Sequence, residues 1–486
     1  MKKKLFVFLI PILLITISLF PRKENKELVS NTDNLVSFTV DGVESKTMPT
    51  KGSGYIANKI TCKNGSIITF DNDNYIIEVE KLESADACKI DFSKEIGSNT
   101  VTVTISNRSK IDSTSKTTTE GGKVVFYLTG EPESITGGEY TLSSNKLIVN
   151  NIISNINLNI TMSKTLYDQL LIDNSRIKTR TDFDTTFTET NTGTLYKANE
   201  SIVGNTPKDV YYFAGDAKNN WVKFGGFYWR IIRTNHDGSI RLLYSGTSPD
   251  TTSGYIWTSA FNSPYNDLMH VGYMYGTSGS LENNRLNTNN SAIKTYIDNW
   301  YNNNLSSYSK YISTEAIYCN DRELVPESTY KTDGTTFYYA PFGRLNTNKT
   351  PTYNCTNIKD AFSGSNSEAK LTYPIGLMTA DEIAYAGGKA ITSLPSPYAW
   401  YYLNSAGGSI TGSTIWWSLS PSYWLGSLSG VWGVYGSILP SYLNGSSVAD
   451  TYAVRPAISL KSCIKYSTGN GTANNPYTIE ETSSGC

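Results

Sequence analysis

The chain has 486 residues, and its 42 basic and 43 acidic side chains leave a formal net charge of −1. The sequence contains no basic stripe that would indicate nucleic-acid binding and no acidic block that would form a solvating tail. We therefore expect no nucleic-acid partner. The length allows more than one domain. The 34 tyrosines and 9 tryptophans stand among many Asn, Ser and Thr residues. This mixture favours strands and turns over long helices, and we expect a β-rich, multi-domain chain.

The N-terminus has the pattern of an export signal. Three lysines at positions 2–4 precede an apolar run, Leu5 to Phe20, and Arg22 and Lys23 follow it. We interpret residues 1–22 as a signal peptide or an N-terminal membrane anchor. Both alternatives stay open, because the run has no clear cleavage site and is slightly shorter than the roughly 20 residues that span a bilayer. The lysines predict that the rest lies outside the cytoplasm, at the cell surface, or secreted if the signal is cleaved.

Six cysteines agree with export, because an even number in an exported chain indicates disulfides. They form three pairs of sequential neighbours, which predicts three bonds: Cys62–Cys88, Cys319–Cys355 and Cys463–Cys486. No Cys/His cluster has the spacing of a metal site, so we expect no metal and no cofactor.

The first half of the chain contains two β-rich stretches. Residues 34–98 and 99–162 alternate apolar and polar residues between Gly- and Asn-rich turns, and we interpret them as a small β domain and a second β-rich unit. Residues 163–205 are predicted to be one short helix, capped by Ser163, followed by a Thr- and Asp-rich linker.

Residues 206–465 are predicted to form a large mixed α+β domain, followed by a tail at 466–486. Two β-rich runs flank Asp237-Gly238, which predicts a hairpin. Helical spacing predicts a helix from Ser291 to Leu305, and Thr379 with Glu382 predicts a capping box on a second helix.

No catalytic constellation emerges from the residues. His236 falls in the predicted hairpin turn, and His270 has no nucleophile motif beside it. Asp381 and Glu382 are adjacent on a helix, where capping explains both. Arg455 is expected to be a buried structural clamp. We therefore expect no catalytic residue.

The stretch from Trp416 to Leu460 stands out because it is dense in Trp, Tyr, Ser, Gly and Leu, with one acid, Asp450, and one base, Arg455. Tyr, Trp, Ser and Gly are the residues that antibody paratopes use for contact. Alternation along the strand places Trp432 and Val434 on a buried face and Tyr435 on an exposed one.

Several motifs together resemble a known group of exported proteins. They are "KFGGFYWRIIR", "IKTYIDNWYNNNL", "LTYPIGLMTADEIAYAGG", "WWSLSPSYW" and "YAVRPAISL". The resemblance is to proteins of gut Firmicutes that carry a C-type-lectin-like domain of the formylglycine-generating-enzyme type, the variable proteins of diversity-generating retroelements. It covers about residues 206–462 and implies a C-type-lectin-like fold for the C-terminal domain.

The resemblance also implies a constant frame with scattered variable positions that contact a ligand. Together with the aromatic pattern it gives these candidate ligand-binding residues: Tyr423, Trp424, Leu425, Ser427, Ser429, Tyr435, Ile438, Tyr442, Leu443, Asp450 and Tyr452.

This sequence departs from two functions of the wider fold family. Enzymes of the formylglycine-generating type bind copper through a cysteine pair, whereas Cys319 and Cys355 fall in predicted loops and resemble a disulfide. The sugar-binding motifs EPN, QPD and WND of calcium-dependent lectins are absent. A shared fold does not transfer function.

The expected function is that of a surface-displayed, adhesin-like protein that binds an extracellular protein or glycan and contacts the membrane through its N-terminal segment. The alternatives are an extracellular enzyme of the formylglycine-generating, sulfatase-modifying type and a passive stalk protein of the cell envelope.

Overall fold

The computed structural model describes residues 36–83, 86–94, 99–105, 108–129, 132–143, 145–202 and 204–486. Within them, strands dominate, with 41% strand and 13% helix, so the chain is β-rich as expected. It divides into two compact units, Met1–Ser163 and Lys164–Cys486. The predicted signal or anchor, residues 1–22, lies outside the described residues. None of the described helices is long and apolar enough to cross a membrane.

The first unit consists of short strands. They are β1 Val36–Val40, β2 Val43–Ser45, β3 Tyr55–Cys62, β4 Ile67–Asp71, β5 Ile76–Lys81, β6 Cys88–Lys94, β7 Asn99–Ile105, β8 Ser115–Thr118, β9 Gly122–Tyr127, β10 Pro132–Thr136, β11 Thr141–Ser143, β12 Lys146–Ile152 and β13 Ile156–Met162. They form sheets in the orders β2-β1-β6-β3, β10-β13-β7-β8 and β11-β12-β9, and a hairpin of β4 and β5.

Two separate hydrophobic clusters fill the first unit. Phe38, Ile90 and Phe92 belong to one, where the Cys62–Cys88 disulfide joins β3 to β6. The other lies between residues 101 and 160. Each results from strict alternation, because every second side chain of a strand points to the same face.

The second unit contains the remaining strands. They are β14 Arg176–Thr179, β15 Thr190–Asn191, β16 Thr194–Glu200, β17 Lys208–Tyr212, β18 Asp216–Ala217, β19 Trp221–Phe224, β20 Phe227–Thr234, β21 Ile240–Tyr244, β22 Trp257–Ala260, β23 Met274–Tyr275, β24 Asn289–Asn290, β25 Tyr318–Cys319, β26 Phe337–Tyr338, β27 Ala361–Phe362, β28 Ile375–Leu377, β29 Trp416–Trp424, β30 Ser429–Val434, β31 Leu443–Ser447, β32 Thr451–Val454, β33 Pro456–Leu460, β34 Tyr466–Thr468 and β35 Tyr477–Ile479.

Its α-helices are short. They are α1 Leu166–Asp173, α2 Leu281–Asn284, α3 Ala292–Asn304, α4 Ala340–Phe342 and α5 Ala380–Tyr385. The two predicted caps are confirmed: the Ser291 side chain accepts from Lys294 N, and Thr379 forms a capping box with Glu382.

Two larger sheets organise the second unit. A ten-stranded sheet follows the order β14-β16-β17-β20-β19-β35-β34, with β21, β33 and β28 joined through β20. The hairpin predicted at Asp237-Gly238 connects β20 to β21. A six-stranded sheet follows the order β22-β32-β29-β30-β31, with β26 paired to β29. One large core of buried Trp, Tyr, Leu and Ile residues runs through this unit.

Two stretches that we expected to lie outside the large domain belong to its main sheet. The expected linker at 163–205 contains β14 and β16, which pair in parallel, and the helix before them is capped by Thr165 instead of Ser163. The expected tail at 466–486 contains β34 and β35, and β35 pairs with β19. These strands are short and polar, so backbone pairing in the assembled sheet decides their structure instead of local propensity.

All three predicted disulfides are present: Cys62–Cys88, Cys319–Cys355 and Cys463–Cys486.

Candidate functional site

The candidate ligand-binding residues lie on or beside the six-stranded sheet, but their exposure differs. Four are exposed: Leu425, Ser427, Ile438 and Asp450. Four are half-buried: Tyr423, Tyr435, Tyr442 and Tyr452. Three are buried: Trp424, Ser429 and Leu443.

The three buried residues support the sheet and cannot contact a ligand in this structure, which corrects their assignment. Trp424 and Leu443 belong to the large hydrophobic core. Ser429 is fully buried and donates its hydroxyl to the carbonyl of Asp267 at 2.6 Å. They were candidates through the resemblance and the aromatic pattern, neither of which shows which positions the packing of the strands covers.

Tyr435 and Tyr442 form one edge of the site. Their rings meet edge to face with centroids 5.3 Å apart, and Tyr435 N donates to the carbonyl of Tyr442 at 2.9 Å. Tyr435 follows β30 and Tyr442 precedes β31, so the pair closes the connection between these strands. Such a ring pair is held in place by its own contact and leaves part of each ring accessible.

Tyr452 and Asp450 form another edge, around the turn between β31 and β32. The Tyr452 hydroxyl donates to Asp450 Oδ2 at 3.0 Å, and the ring packs on buried Trp417 with centroids 4.6 Å apart. Burial, together with the charge of Asp450, raises the pKa of Tyr452 to about 12. The phenol therefore remains a protonated donor at neutral pH.

Tyr423 lies over a floor of glycines. A Cβ added to Gly430 or to Gly445 would come within 3.0 Å of its ring, so both positions need a residue without a side chain. Burial raises the pKa of Tyr423, and the charge of Asp450 and Tyr435 contribute to the shift. We call Tyr423, Tyr435, Tyr442, Tyr452 and Asp450 the tyrosine face.

Trp257 and Leu439 are exposed apolar residues near this sheet that were not among the candidates. Trp257, 63% exposed, begins edge strand β22, whose Ser259 pairs with Tyr452. Leu439, 40% exposed, lies in the loop that ends at Tyr442. Trp257 is far in sequence from the aromatic stretch, and only the strand pairing reveals that it is close.

A second polar region of this unit is a small cleft. We call it the charged cleft. Its lining includes Glu200, Arg233, Arg241, Cys319, Asp321, Arg344, Tyr353, Cys355, Asp381 and Glu382.

Ion pairs connect the charges of the cleft. Glu382 Oε1 accepts from Arg233 Nε at 2.8 Å and from Arg241 Nη1 at 2.7 Å, and Arg233 Nη2 reaches Glu200 Oε1 at 2.8 Å. Arg344 holds Asp381 with two hydrogen bonds, at 2.9 and 3.0 Å, and Asp321 at 2.7 Å.

The pKa shifts of the cleft follow from these contacts. Burial raises the pKa of Glu200, but the charges of Arg233 and Arg241 and the hydrogen bonds from Arg233 and His236 together outweigh burial and lower the pKa to about 2. For Asp321, burial outweighs the charge of Arg344 and raises the pKa. From the sequence, Asp381 and Glu382 were interpreted only as capping residues of a helix. In the structure, Glu382 takes part in the capping box and also lies at the centre of the cleft.

The histidines have backbone and carboxylate partners. His270 is buried, and its Nδ1 lies 2.5 Å from the carbonyl of Pro264. His236 donates its backbone N–H to Glu200 at 2.6 Å, so it is anchored rather than freely solvated in the turn. Arg455 is fully buried and donates to the carbonyls of Tyr244 and Tyr401, the expected clamp.

Among the described residues, Cys62, Asp86 and Cys88 are the one group with three metal-ligating atoms close together. Both sulfurs are joined in a disulfide, so no thiolate is available there to bind a metal.

Comparison with known proteins gives no match: neither a protein-family model, nor a curated protein, nor a solved structure matches this chain. The function therefore has to be argued from the two regions described above.

Proposed function

We propose that this chain is a surface-displayed binding protein and that its tyrosine face binds a macromolecular ligand, an extracellular protein or a glycan. The observation that carries the proposal is the grouping of four half-buried tyrosines and one exposed carboxylate at the edges of one well-packed sheet. Half-exposed rings on a rigid support provide a large contact area at low entropic cost.

The support beneath the face is rigid in its packing. Every residue of β30 is buried, including Trp432, and the fully buried Trp417 packs against Tyr452. Ligand contact would therefore fall on a few aromatic anchors, with Leu425 and Ile438 as exposed apolar neighbours. This matches the way in which a few central residues carry most of the affinity of an interface.

The finer fold and the family are part of the proposal. The C-terminal unit would be a C-type-lectin-like domain, and the face would hold the variable positions of a retroelement-diversified protein. Supporting this, the unit combines two larger sheets with few short helices and long ordered loops, and the half-buried candidates Tyr423, Tyr435 and Tyr442 each stand between two buried residues.

The proposed location is the extracellular side of the cell membrane or the cell surface. Three disulfides support it, because such bonds form and persist in oxidising compartments. Export would bring the face into contact with extracellular ligands.

The test uses the full chain and the variant with Tyr435→Ala and Tyr442→Ala. Both are screened against immobilised glycans and against purified extracellular proteins. We expect the variant to lose at least ~10-fold in affinity for any ligand that the parent binds. Its thermal unfolding should change little.

Tyr466→Ala is the matched control, because Tyr466 is also half-buried and also meets another ring edge to face, Tyr477, but in the other sheet. It should keep the ligand. A large loss of stability in the double variant would show that Tyr435 and Tyr442 are core residues, and unchanged binding would remove the face from the proposal.

A further inference from the structure

The tyrosine face has one formal charge, and no residue that the structure describes forms an ion pair with it. Residues 416–454 contain no Lys, Arg, His or Glu, and Asp450 is their single acid. The Asp450 side chain is exposed, and no ion pair joins it to another described residue. Its backbone N–H donates to the carbonyl of Ser447 at 3.0 Å, which fixes the turn that presents the carboxylate.

Tyrosine side chains lie near this carboxylate. The Tyr452 hydroxyl donates to Asp450 Oδ2 at 3.0 Å, which leaves Oδ1 without a contact from that tyrosine. The charge of Asp450 also acts on Tyr423, and Tyr435 acts on both Tyr423 and Tyr452, so the three phenols lie within electrostatic range of one another. The negative faces of aromatic rings attract cations, as a carboxylate does.

We propose that the tyrosine face takes a cationic side chain, lysine or arginine, of a protein partner. The cation would pair with Asp450 and pack against the rings of Tyr423, Tyr435 and Tyr452. This inference rests on the proposed function and narrows it, because it selects a protein with an exposed basic residue over an acidic glycan. A carboxylate at the site repels an anionic ligand and so contributes to specificity.

The charged cleft shows the same chemistry within this chain. There Arg233 lies 4.5 Å from the ring centre of Tyr353 while it pairs with Glu200 and Glu382. The cleft contains all the parts of the arrangement: a guanidinium, a ring face and carboxylates. The tyrosine face contains the rings and the carboxylate without the cation.

The experiment titrates the full chain, labelled on its tyrosine rings, with three synthetic peptides. They are acetyl-Gly-Arg-Gly-amide, acetyl-Gly-Lys-Gly-amide and the uncharged acetyl-Gly-Gln-Gly-amide. NMR signals of Tyr435 and Tyr452 should shift saturably with the two cationic peptides. The glutamine peptide should bind at least ~5-fold more weakly, as expected for about 1 kcal/mol of cation–π and ionic attraction.

Asp450→Asn should remove the preference for the cationic peptides. Asp209→Asn is the control, since Asp209 is a carboxylate on β17 that is paired with Lys197, and it should keep the preference. Equal binding of all three peptides, an unchanged preference in Asp450→Asn, or no shift of any tyrosine at millimolar peptide would each overturn the inference.

The outcomes separate this inference from the proposed function. If neutral peptides or glycans bind the parent chain and lose affinity with Tyr435→Ala, the face still binds ligands and only the cationic preference falls. If ligands of every class bind equally well after Tyr435→Ala and Tyr442→Ala, the proposed function itself falls.

Discussion

The charged cleft and the tyrosine face belong to the same compact unit, yet they treat their polar groups in opposite ways. In the cleft, Glu382 accepts from two arginines and from the backbone of Thr379, so both of its carboxylate oxygens are hydrogen-bonded within the protein. At the face, Asp450 accepts from one phenol and is exposed. The charged groups of the cleft are paired with one another, whereas the carboxylate of the tyrosine face is accessible.

The difference indicates which polar groups stabilise the fold and which are available to a ligand. Buried charges persist only when they are paired and hydrogen-bonded, and the cleft meets that condition. All four rings of the tyrosine face remain part-exposed. Burial in the core therefore does not account for them as the ion pairs account for the charges of the cleft. A ligand-binding role is therefore better supported at the face than in the cleft.

The largest expected effect comes from breaking the cleft with Glu382→Gln. This change keeps the size of the side chain but leaves Arg233 and Arg241 without a shared carboxylate. Removing one partner of a buried ion pair costs about 3–5 kcal/mol, and we expect a loss of that size in the free energy of unfolding. All nine tryptophans lie after residue 220, so tryptophan fluorescence during denaturant unfolding reports on the second unit.

Asp450→Asn is the matched carboxylate control from the tyrosine face. Because Asp450 is exposed, its removal should change the free energy of unfolding by no more than about 0.5 kcal/mol. Similar losses for both variants would contradict the contrast between the two regions.

Some features of the fold and of the tyrosine face could be predicted from the sequence. The disulfide pairs follow from neighbouring cysteines, and the caps at Ser291 and Thr379 follow from local hydrogen-bonding rules. The aromatic stretch after Trp416 showed where tyrosines concentrate. Each of these signals is local, so a single sequence can reveal it.

The cleft could not be foreseen because its residues are distant in the chain. Arg233 meets Glu200 and Glu382, and Arg344 meets Asp321 and Asp381, across as many as 149 positions. The burial of the candidates Ser429 and Leu443 could not be foreseen either, because it depends on strand pairing. Only the pairing of β29, β30 and β31 decides which side of the sheet is covered.

A second prediction concerns pH and also acts on the cleft. The pKa of Glu200 lies at about 2, below its ordinary value of 4.5, because the effect of burial is outweighed by the charges of Arg233 and Arg241 together with the hydrogen bonds from Arg233 and His236. A carboxylate with a lowered pKa contributes stability above its ordinary pKa and loses that contribution as the pH falls toward the folded pKa. We expect the free energy of unfolding to decrease between pH 4.5 and about 2, and this group should contribute on the order of 2–3 kcal/mol to the decrease.

Glu200→Gln isolates this contribution, because glutamine does not titrate. The variant should be less stable than the parent at neutral pH, and the difference between them should shrink as the pH falls through that window. A difference that stays constant from pH 7 to pH 2 would show that Glu200 does not carry the acid dependence.

A further effect is expected at the floor of the tyrosine face, with Gly430→Ala. The added Cβ would come within 3.0 Å of the Tyr423 ring, so the ring must move. Overpacking of this kind costs about 1–3 kcal/mol. If the ring of Tyr423 is the obstacle, adding Tyr423→Ser should relieve the clash, and the double variant should be less destabilised than the sum of the two single changes by about 0.5–3 kcal/mol. Strict additivity in denaturant unfolding would mean that Tyr423 does not rest on Gly430, and the face would then lack the fixed ring that distinguishes it from a mobile surface loop.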